Sequence, residues 1–355
     1  MGDSARTIAL DAMGADLGVQ EMVAGAAEAI KKGEALDGVV IVGDEAQIQE
    51  ALKGAGLAND SRVQIFHASQ VVEMSDKPLQ AIRQKKDASL VRTVELVRDG
   101  TCQAGISCGN TGALMAAGQL RLRTLDGVDR AALATVWPSE NGHFLLLDAG
   151  ANPMAKPEHL VHYALMGNAY ARDALSIEKP RIGLLSIGTE EGKGTELTSR
   201  THELLKFLAA QDDRLNYVGL IEGFHLFNGE VDVVVTDGFT GNVVLKSSEA
   251  LYKMINRVLK QEAKAQPLTA IGGLLLKPAI SRMKHRLSPE RYGGAPLLGL
   301  RGTVLKAHGS SSREAIANAI RIAAQVVERK LISHVHNDVL WANERLKAAP
   351  APSEA

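Results

Sequence analysis

Two short stretches of the sequence have the residue types to hold a small anion. They are Asp237-Gly-Phe-Thr240-Gly241-Asn242 and Gly109-Asn110-Thr111-Gly112. Each follows an apolar run and precedes a helical pattern, Val243–Leu259 in the first case and Ala113–Leu122 in the second. The first backbone N–H groups of a helix lack partners and stand at the positive end of its dipole, so an anion is favoured there. Glycine lets that anion approach the backbone closely. Thr and Asn also serve as plain N-caps, and for either turn alone capping is the simpler account. Asp237 ends a hydrophobic strand beside these donors. A carboxylate there can orient a nucleophile, carry a proton or bind a metal, or it can simply cap the turn.

Other chemistry-bearing residues stand at similar strand ends. The loop Gly188–Thr195 (GTEEGKGT) resembles a phosphate loop but has the wrong glycine spacing, and Gly194 stands where Ser or Thr would hold magnesium. It remains a loop that can bring Lys193 to an anion. Gly105–Gly112 has no dinucleotide-binding spacing. His308, in His308-Gly-Ser-Ser311, can donate to a developing oxyanion or be a hydrogen-bonded structural imidazole. Asp11, Asp16 and Asp148 are strand-end carboxylates with metal-binding chemistry, but they form no tight acidic cluster in the sequence. No metal site and no cofactor are expected. Cys108 lies before a helix start, where a thiol pKa can fall; a packed, inert thiol is the alternative.

These residues need a scaffold that brings strand ends together. Strands are expected at Thr7–Asp11, Val39–Val42, Val63–His67, Ala104–Ile106, Leu145–Asp148, Arg181–Ile187, Tyr217–Ile221, Val231–Thr236 and Thr303–Ala307. Several lack polar alternation, as strands buried on both faces do. Helical patterns lie between them: Val19–Lys32, Ala46–Gly54, Leu79–Val97, Pro157–Asp173, Glu196–Ala209 and Ser312–Lys330. The alternation predicts an α/β fold, an open and mostly parallel sheet with helices on both faces. In such sheets ligands bind beyond the carboxyl ends of the strands, and the turns above are expected to crowd one such edge. One domain over residues 1–347 is expected, with a projecting helical hairpin at about 248–291 and a disordered Ala/Pro-rich tail at 348–355.

The hairpin region has its own chemistry. Ile271–Ile280 is largely apolar and leads into basic residues. Between 264 and 291, Lys264, Lys277, Arg282, Lys284, Arg286 and Arg291 face one acid, Glu290. A basic amphipathic segment suits an anionic membrane surface or an acidic protein, and a dimer interface with a solvated face is the alternative. The whole chain carries a formal net charge of -1 and only 4% aromatic residues, which argues against nucleic-acid binding. Two cysteines, Cys102 and Cys108, are read as free thiols in the cytoplasm. The first residues have no signal-peptide pattern, and no apolar run is long enough to span a bilayer.

Taken in order, the motifs resemble one family. Asp11-Ala-Met-Gly14, Gly109-Asn-Thr-Gly-Ala113, Asp148-Ala-Gly-Ala-Asn152, Gly188-Thr-Glu-Glu-Gly-Lys193-Gly194, Asp237–Val244, Tyr292–Gly299 and Lys306-Ala-His308-Gly-Ser-Ser311 are similar to the acyl-carrier-protein:phosphate acyltransferases of bacterial phospholipid synthesis. Ala15-Asp16, Val19 and Cys108 depart from that pattern locally. The resemblance implies transfer of a long-chain acyl group from a carrier-protein thioester to inorganic phosphate. It also implies an isocitrate dehydrogenase/phosphate acetyltransferase-like core, a homodimer and a cytoplasmic enzyme loosely held at the membrane. A glycerol-3-phosphate acyltransferase would follow it and use its product. On this reading Asn110, Thr111, Gly112, Thr240 and Gly241 bind phosphate, and Asp237, Asn242, Lys193 and His308 are catalytic. Lys277, Arg282, Lys284 and Arg286 meet the carrier protein or lipid. The rival readings are a coenzyme A-dependent phosphate acyltransferase, a nicotinamide-dependent dehydrogenase of the isocitrate type, and a membrane-binding scaffold.

Overall fold

A computed structural model describes residues 6–34, 36–190, 192–287 and 292–351. The first half alternates strands β1 (Thr7–Asp11), β2 (Gly38–Gly43), β3 (Val63–His67) and β4 (Ala104–Ser107) with helices α1 (Gly18–Lys31), α2 (Glu45–Ala55), α3 (Pro78–Gln84) and α4 (Ser89–Arg98). Helix α5 (Thr111–Ala117) follows β4 and continues as a π-helical turn, Gly118–Leu122. A hairpin of β5 (Ala132–Ser139) and β6 (Gly142–Leu147) leads to α6 (Pro157–Asp173), β7 (Ile182–Leu185), α7 (Glu196–Ala209), β8 (Tyr217–Ile221) and β9 (Val233–Val235). Two consecutive, largely exposed helices follow, α8 (Gly238–Glu262) and α9 (Pro267–Leu287). The chain then returns through β10 (Ala295–Leu298), β11 (Thr303–Lys306), α10 (Arg313–Glu328) and α11 (Leu331–Leu346).

All eleven strands join one sheet, in the order β3-β2-β1-β4-β11-β10-β5-β6-β9-β7-β8. The pairs β10–β11, β10–β5 and β5–β6 are antiparallel, and the others are parallel. The expected single carboxyl edge is therefore corrected to two. The half-sheet ending in β11 and the half-sheet starting at β6 run in opposite directions. The register shows how they meet. Pro296 pairs with Leu305, while Leu297 pairs with Leu133. Ala134, next along β5, pairs with Leu147. Counting across, Leu147 at the end of β6 stands level with Leu305 near the end of β11. The two carboxyl edges approach one level from opposite sides, with β10 and β5 between them.

The core divides at this junction on one face. Alternate residues of the same strand go to opposite faces, as Ile8 and Leu10 do against Ala9. On one face a single apolar cluster runs under α1, α6, α7, α10 and α11. On the other face the packing divides. One cluster lies with α4 and α5 against the first half-sheet, and a separate one holds Phe144, Leu146, Leu185, Ile221 and Val234 of the second. Leu245 of α8 packs against both. Helix α8 thus starts where the two clusters part.

Strands β5 and β10 were not expected from the sequence. Each carries a proline, Pro138 or Pro296, and proline argues against strand in a local reading. The single helix expected over Leu79–Val97 is two helices, α3 and α4. Asp87 between them accepts from the Ser69 N–H and hydroxyl at 2.9 and 2.7 Å and so holds the break. Of the expected tail, Pro350 accepts from Arg200 at 2.8 Å, and residues 352–355 lie outside the described residues, as do Glu290 and Arg291.

Candidate active site

The second half-sheet contributes a loop and a helix start that are built around one carboxylate. Asp148 is fully buried. Its Oδ1 accepts from the N–H groups of Leu133, Gly150 and Ala151 at 3.0, 3.0 and 2.8 Å, and its Oδ2 accepts from Asn152 N–H at 2.6 Å. Burial raises its pKa, and the four N–H donors oppose that by favouring the ionised form. The loop so fixed receives α8. Gly238 N–H donates to Asn152 O at 3.0 Å. A Cβ on Gly241 would stand 1.9 Å from the Asp148 carbonyl oxygen, so only glycine permits this seat.

Asp237 is the N-cap of α8. Its Oδ1 accepts from Phe239 and Thr240 N–H at 2.9 and 3.0 Å, and its Oδ2 accepts the Thr240 hydroxyl at 2.7 Å. Gly241 N–H donates to the Asp237 carbonyl at 2.9 Å. All four leading N–H groups of α8 are thus engaged within the protein, as are the Thr240 hydroxyl and both Asp237 oxygens. Asn242 differs. Its side chain lies over Gly150, about van der Waals distance from where a Cβ would be, and among the described residues no hydrogen bond holds its amide.

The first half-sheet offers the opposite arrangement. Asn110 caps α5, its Oδ1 accepting from Ala113 N–H at 3.0 Å. Its Nδ2 donates to the carbonyls of Glu73, Met74 and Asp76 at 3.4, 3.0 and 3.4 Å, which anchors the turn to the loop before α3. Thr111 and Gly112 follow, and among the described residues their N–H groups have no acceptor. Thr111 is exposed. The start of α5 therefore presents open donors where α8 presents none.

Beneath this turn lies a buried polar cluster that residue-by-residue reading missed. Asp11, Ser107 and Lys306 end adjacent strands at paired register positions. The Ser107 hydroxyl donates to Asp11 Oδ2 at 2.6 Å and accepts from Gly109 N–H at 3.0 Å. Lys306 Nζ donates to the carbonyls of Cys108 and Ala307. Burial raises the Asp11 pKa and lowers that of Lys306. The only sequence signal was position, since all three residues close a strand. Of the two readings of Cys108, the packed thiol is the one the structure shows. Cys108 is buried, and burial pushes its pKa up to about 12, which makes it a packed thiol against the Met22 sulfur at 3.6 Å.

Lys193 is exposed on the loop after β7, its stem folded over Gly188, and among the described residues it has no carboxylate partner. His308 is exposed beyond β11. Its Nδ1 accepts from Ser310 N–H at 3.2 Å, which leaves the proton of the neutral ring on Nε2 as an outward donor. Asp16 is exposed beside Gly309, and its N–H donates to the Gly309 carbonyl at 2.8 Å. Asp11 and Asp148 sit on opposite half-sheets, so the three strand-end carboxylates do not gather. Lys277, Arg282, Lys284 and Arg286 lie on α9, exposed, and Arg286 donates to the Glu140 carbonyl.

Two half-sheets whose carboxyl edges oppose one another across β10 and β5 define an α/β fold. The fold matches solved phosphotransacylases. A phosphotransacetylase from Streptococcus pyogenes superposes with a TM-score of 0.58 at 18% identity, over 91% of this chain and 94% of that one. A branched-chain phosphotransacylase from Enterococcus faecalis gives 0.54 at 17% identity, over 90% and 98%. At those identities the likeness is one of fold. Sequence relatives go further. The chain is 46% identical to a phosphate acyltransferase of Methylococcus capsulatus, over 91% of this chain and 94% of that protein. It is 45% identical to one of Desulfitobacterium hafniense, over 94% and 97%. The family model described as "Fatty acid synthesis protein" matches residues 6–334. The chain belongs to the phosphate acyltransferase family of fatty acid synthesis, and it is an enzyme of acyl transfer to phosphate.

Two outcomes test this geometry. Gly241→Ala forces the Cβ onto the Asp148 carbonyl, so urea unfolding is expected to show a loss of about 1–3 kcal/mol, together with lost turnover. Both cysteines are buried, with Cys102 pushed up to about 11 and Cys108 to about 12. Neither is expected to react with a disulfide reagent at about pH 8 in the native protein, and both are expected to react once it is unfolded.

Proposed function

We propose that the acyl donor is a thioester of an acyl carrier protein and that inorganic phosphate is held at the junction of the half-sheets. The observation that carries this reading is the pairing of open donors: Thr111 and Gly112 N–H on one side, and the unheld amide of Asn242 on the other. The Thr111 hydroxyl and Lys193 add a donor and a positive charge. Phosphate is already nucleophilic, so the work of the protein is placement next to the carbonyl. A phosphate oxygen forms a bond to the thioester carbon, the C–S bond breaks, and the phosphate proton leaves with the sulfur. The products are an acyl phosphate and a free thiol. Asn242 and the Nε2–H of His308 are the candidate donors to the oxyanion that forms on the carbonyl oxygen. Asn110, Asp237, Thr240 and Gly241 act by holding the two helix starts in place.

Helices α8 and α9 support the remaining parts of the reading. Leu251, Met254, Ile255, Leu274 and Leu275 are exposed, between 45% and 77%, and a second copy of this chain would cover them. Lys277, Arg282, Lys284 and Arg286 would meet the acidic carrier protein or anionic lipid. No helix of the described residues is long and apolar enough to cross a membrane, and a peripheral, cytoplasmic enzyme fits that. The reactive product calls for a following acyltransferase that passes the chain to an alcohol such as glycerol 3-phosphate.

The test is thiol release from a long-chain acyl carrier protein with and without inorganic phosphate. Release that depends on phosphate is expected, and release without it contradicts the proposal. Asn242→Ala is expected to lower kcat roughly 100-fold with the melting temperature retained. A variant that loses stability and keeps its activity would show a structural side chain instead.

A further inference from the structure

We propose that a row of four exposed apolar side chains, Met154, Phe239, Ile187 and Phe224, borders the acyl donor and that its Ile187–Phe224 end is the track along which the hydrocarbon chain lies, an inference that rests on the acyl-transfer reading above. These residues are 86%, 66%, 79% and 65% exposed. They follow the ends of four strands that are neighbours in the sheet, β6, β9, β7 and β8. Leu184 pairs with Val235, so Ile187 and Phe239 both lie just beyond the ends of adjacent strands. Leu185 pairs with Ile221, so Ile187 and Phe224 do the same on the other side. On the far side Gly238 N–H donates to Asn152 O, two residues before Met154. The row thus crosses the carboxyl ends of β6, β9, β7 and β8, and three strand spacings make it about 14 Å long.

The middle of this row ties it to the reaction. Phe239 and Asn242 are three residues apart on α8 and lie on one face of the helix. Ile187 precedes Gly188, over which the Lys193 stem folds. An amide and a cation therefore flank the row at its middle, where a thioester carbonyl and phosphate would react. The row itself carries no charge. Four large apolar groups side by side in water contribute nothing to the core, and a patch of this kind beside polar donors marks a site for an apolar ligand. An acetyl group would end beside the carbonyl, whereas a long chain that runs from there toward β8 would cover Ile187 and Phe224.

The row therefore sets chain-length preference. The experiment compares palmitoyl and butyryl thioesters on the same carrier protein, with inorganic phosphate as acceptor, for the wild-type chain and for Ile187→Ser with Phe224→Ser. Both positions are largely exposed, so serine leaves the packing intact. The palmitoyl-to-butyryl ratio of kcat/KM is expected to fall roughly tenfold in the double variant. An unchanged ratio overturns the inference. Sedimentation with anionic vesicles is measured on the same proteins. Lost vesicle binding at an unchanged ratio would mark the row as a membrane contact and would equally overturn the inference. Failure of the acyl-transfer reading looks different, because the wild-type protein would then release thiol from neither donor in response to phosphate.

Discussion

The buried carboxylate of Asp148 is the interaction on which the site depends. A charge without solvent is costly, and here four backbone N–H groups surround it at 2.6–3.0 Å. One comes from Leu133, at the start of β5, and three come from the loop that follows β6. The carboxylate thus fastens the loop to the strand that joins the half-sheets. The same loop then seats α8 through Asn152 and through the contact between Gly241 and the Asp148 carbonyl. Asn242 is positioned one residue beyond that contact. Its place over Gly150 follows from the carboxylate, since Gly150 is itself turned by its N–H bond to Asp148.

The topology gives that local arrangement its meaning. In a sheet with all strands parallel, carboxyl ends share one edge and their loops fan out over it. Here three antiparallel pairings, β11–β10, β10–β5 and β5–β6, reverse the second half. The carboxyl ends of β11 and β6 then approach one another across two short strands. The two turns that look alike in the sequence are different in structure. At α8 the cap Asp237 and the Asn152 carbonyl together close every leading donor. At α5 the cap residue is tied to the neighbouring loop, and the donors after it stay open. One turn holds the helix that carries an amide, and the other leaves backbone donors open.

Much of this was legible in the sequence. Apolar runs without alternation marked the parallel strands, because both faces of the sheet are buried. The glycine-rich turns and the strand-end residues Asn110, Thr111, Asp237 and Asn242 were visible by type and position. The reversal was not, because it rests on β5 and β10, which are short, antiparallel and marked by proline. Nor could the sequence separate Asp237 as cap from Asp237 as proton carrier, since both roles need a carboxylate at the same place. Asp148 looked like any strand-end acid. Its four donors come from backbone groups, and backbone groups leave no trace in residue types. The Asp11–Ser107–Lys306 cluster depends on register between three strands, which pattern alone does not supply.

The central claim is that donors from opposed half-sheets act on one phosphate. A double-mutant cycle on kcat/KM for inorganic phosphate tests it most directly, with Thr111→Val on one side and Asn242→Ala on the other. Residues that share a ligand are coupled by about 0.5–3 kcal/mol, so the double variant should lose much less than the product of the two single losses. Losses that simply multiply would mean that the two side chains act at separate places, and the account of a shared site would be wrong.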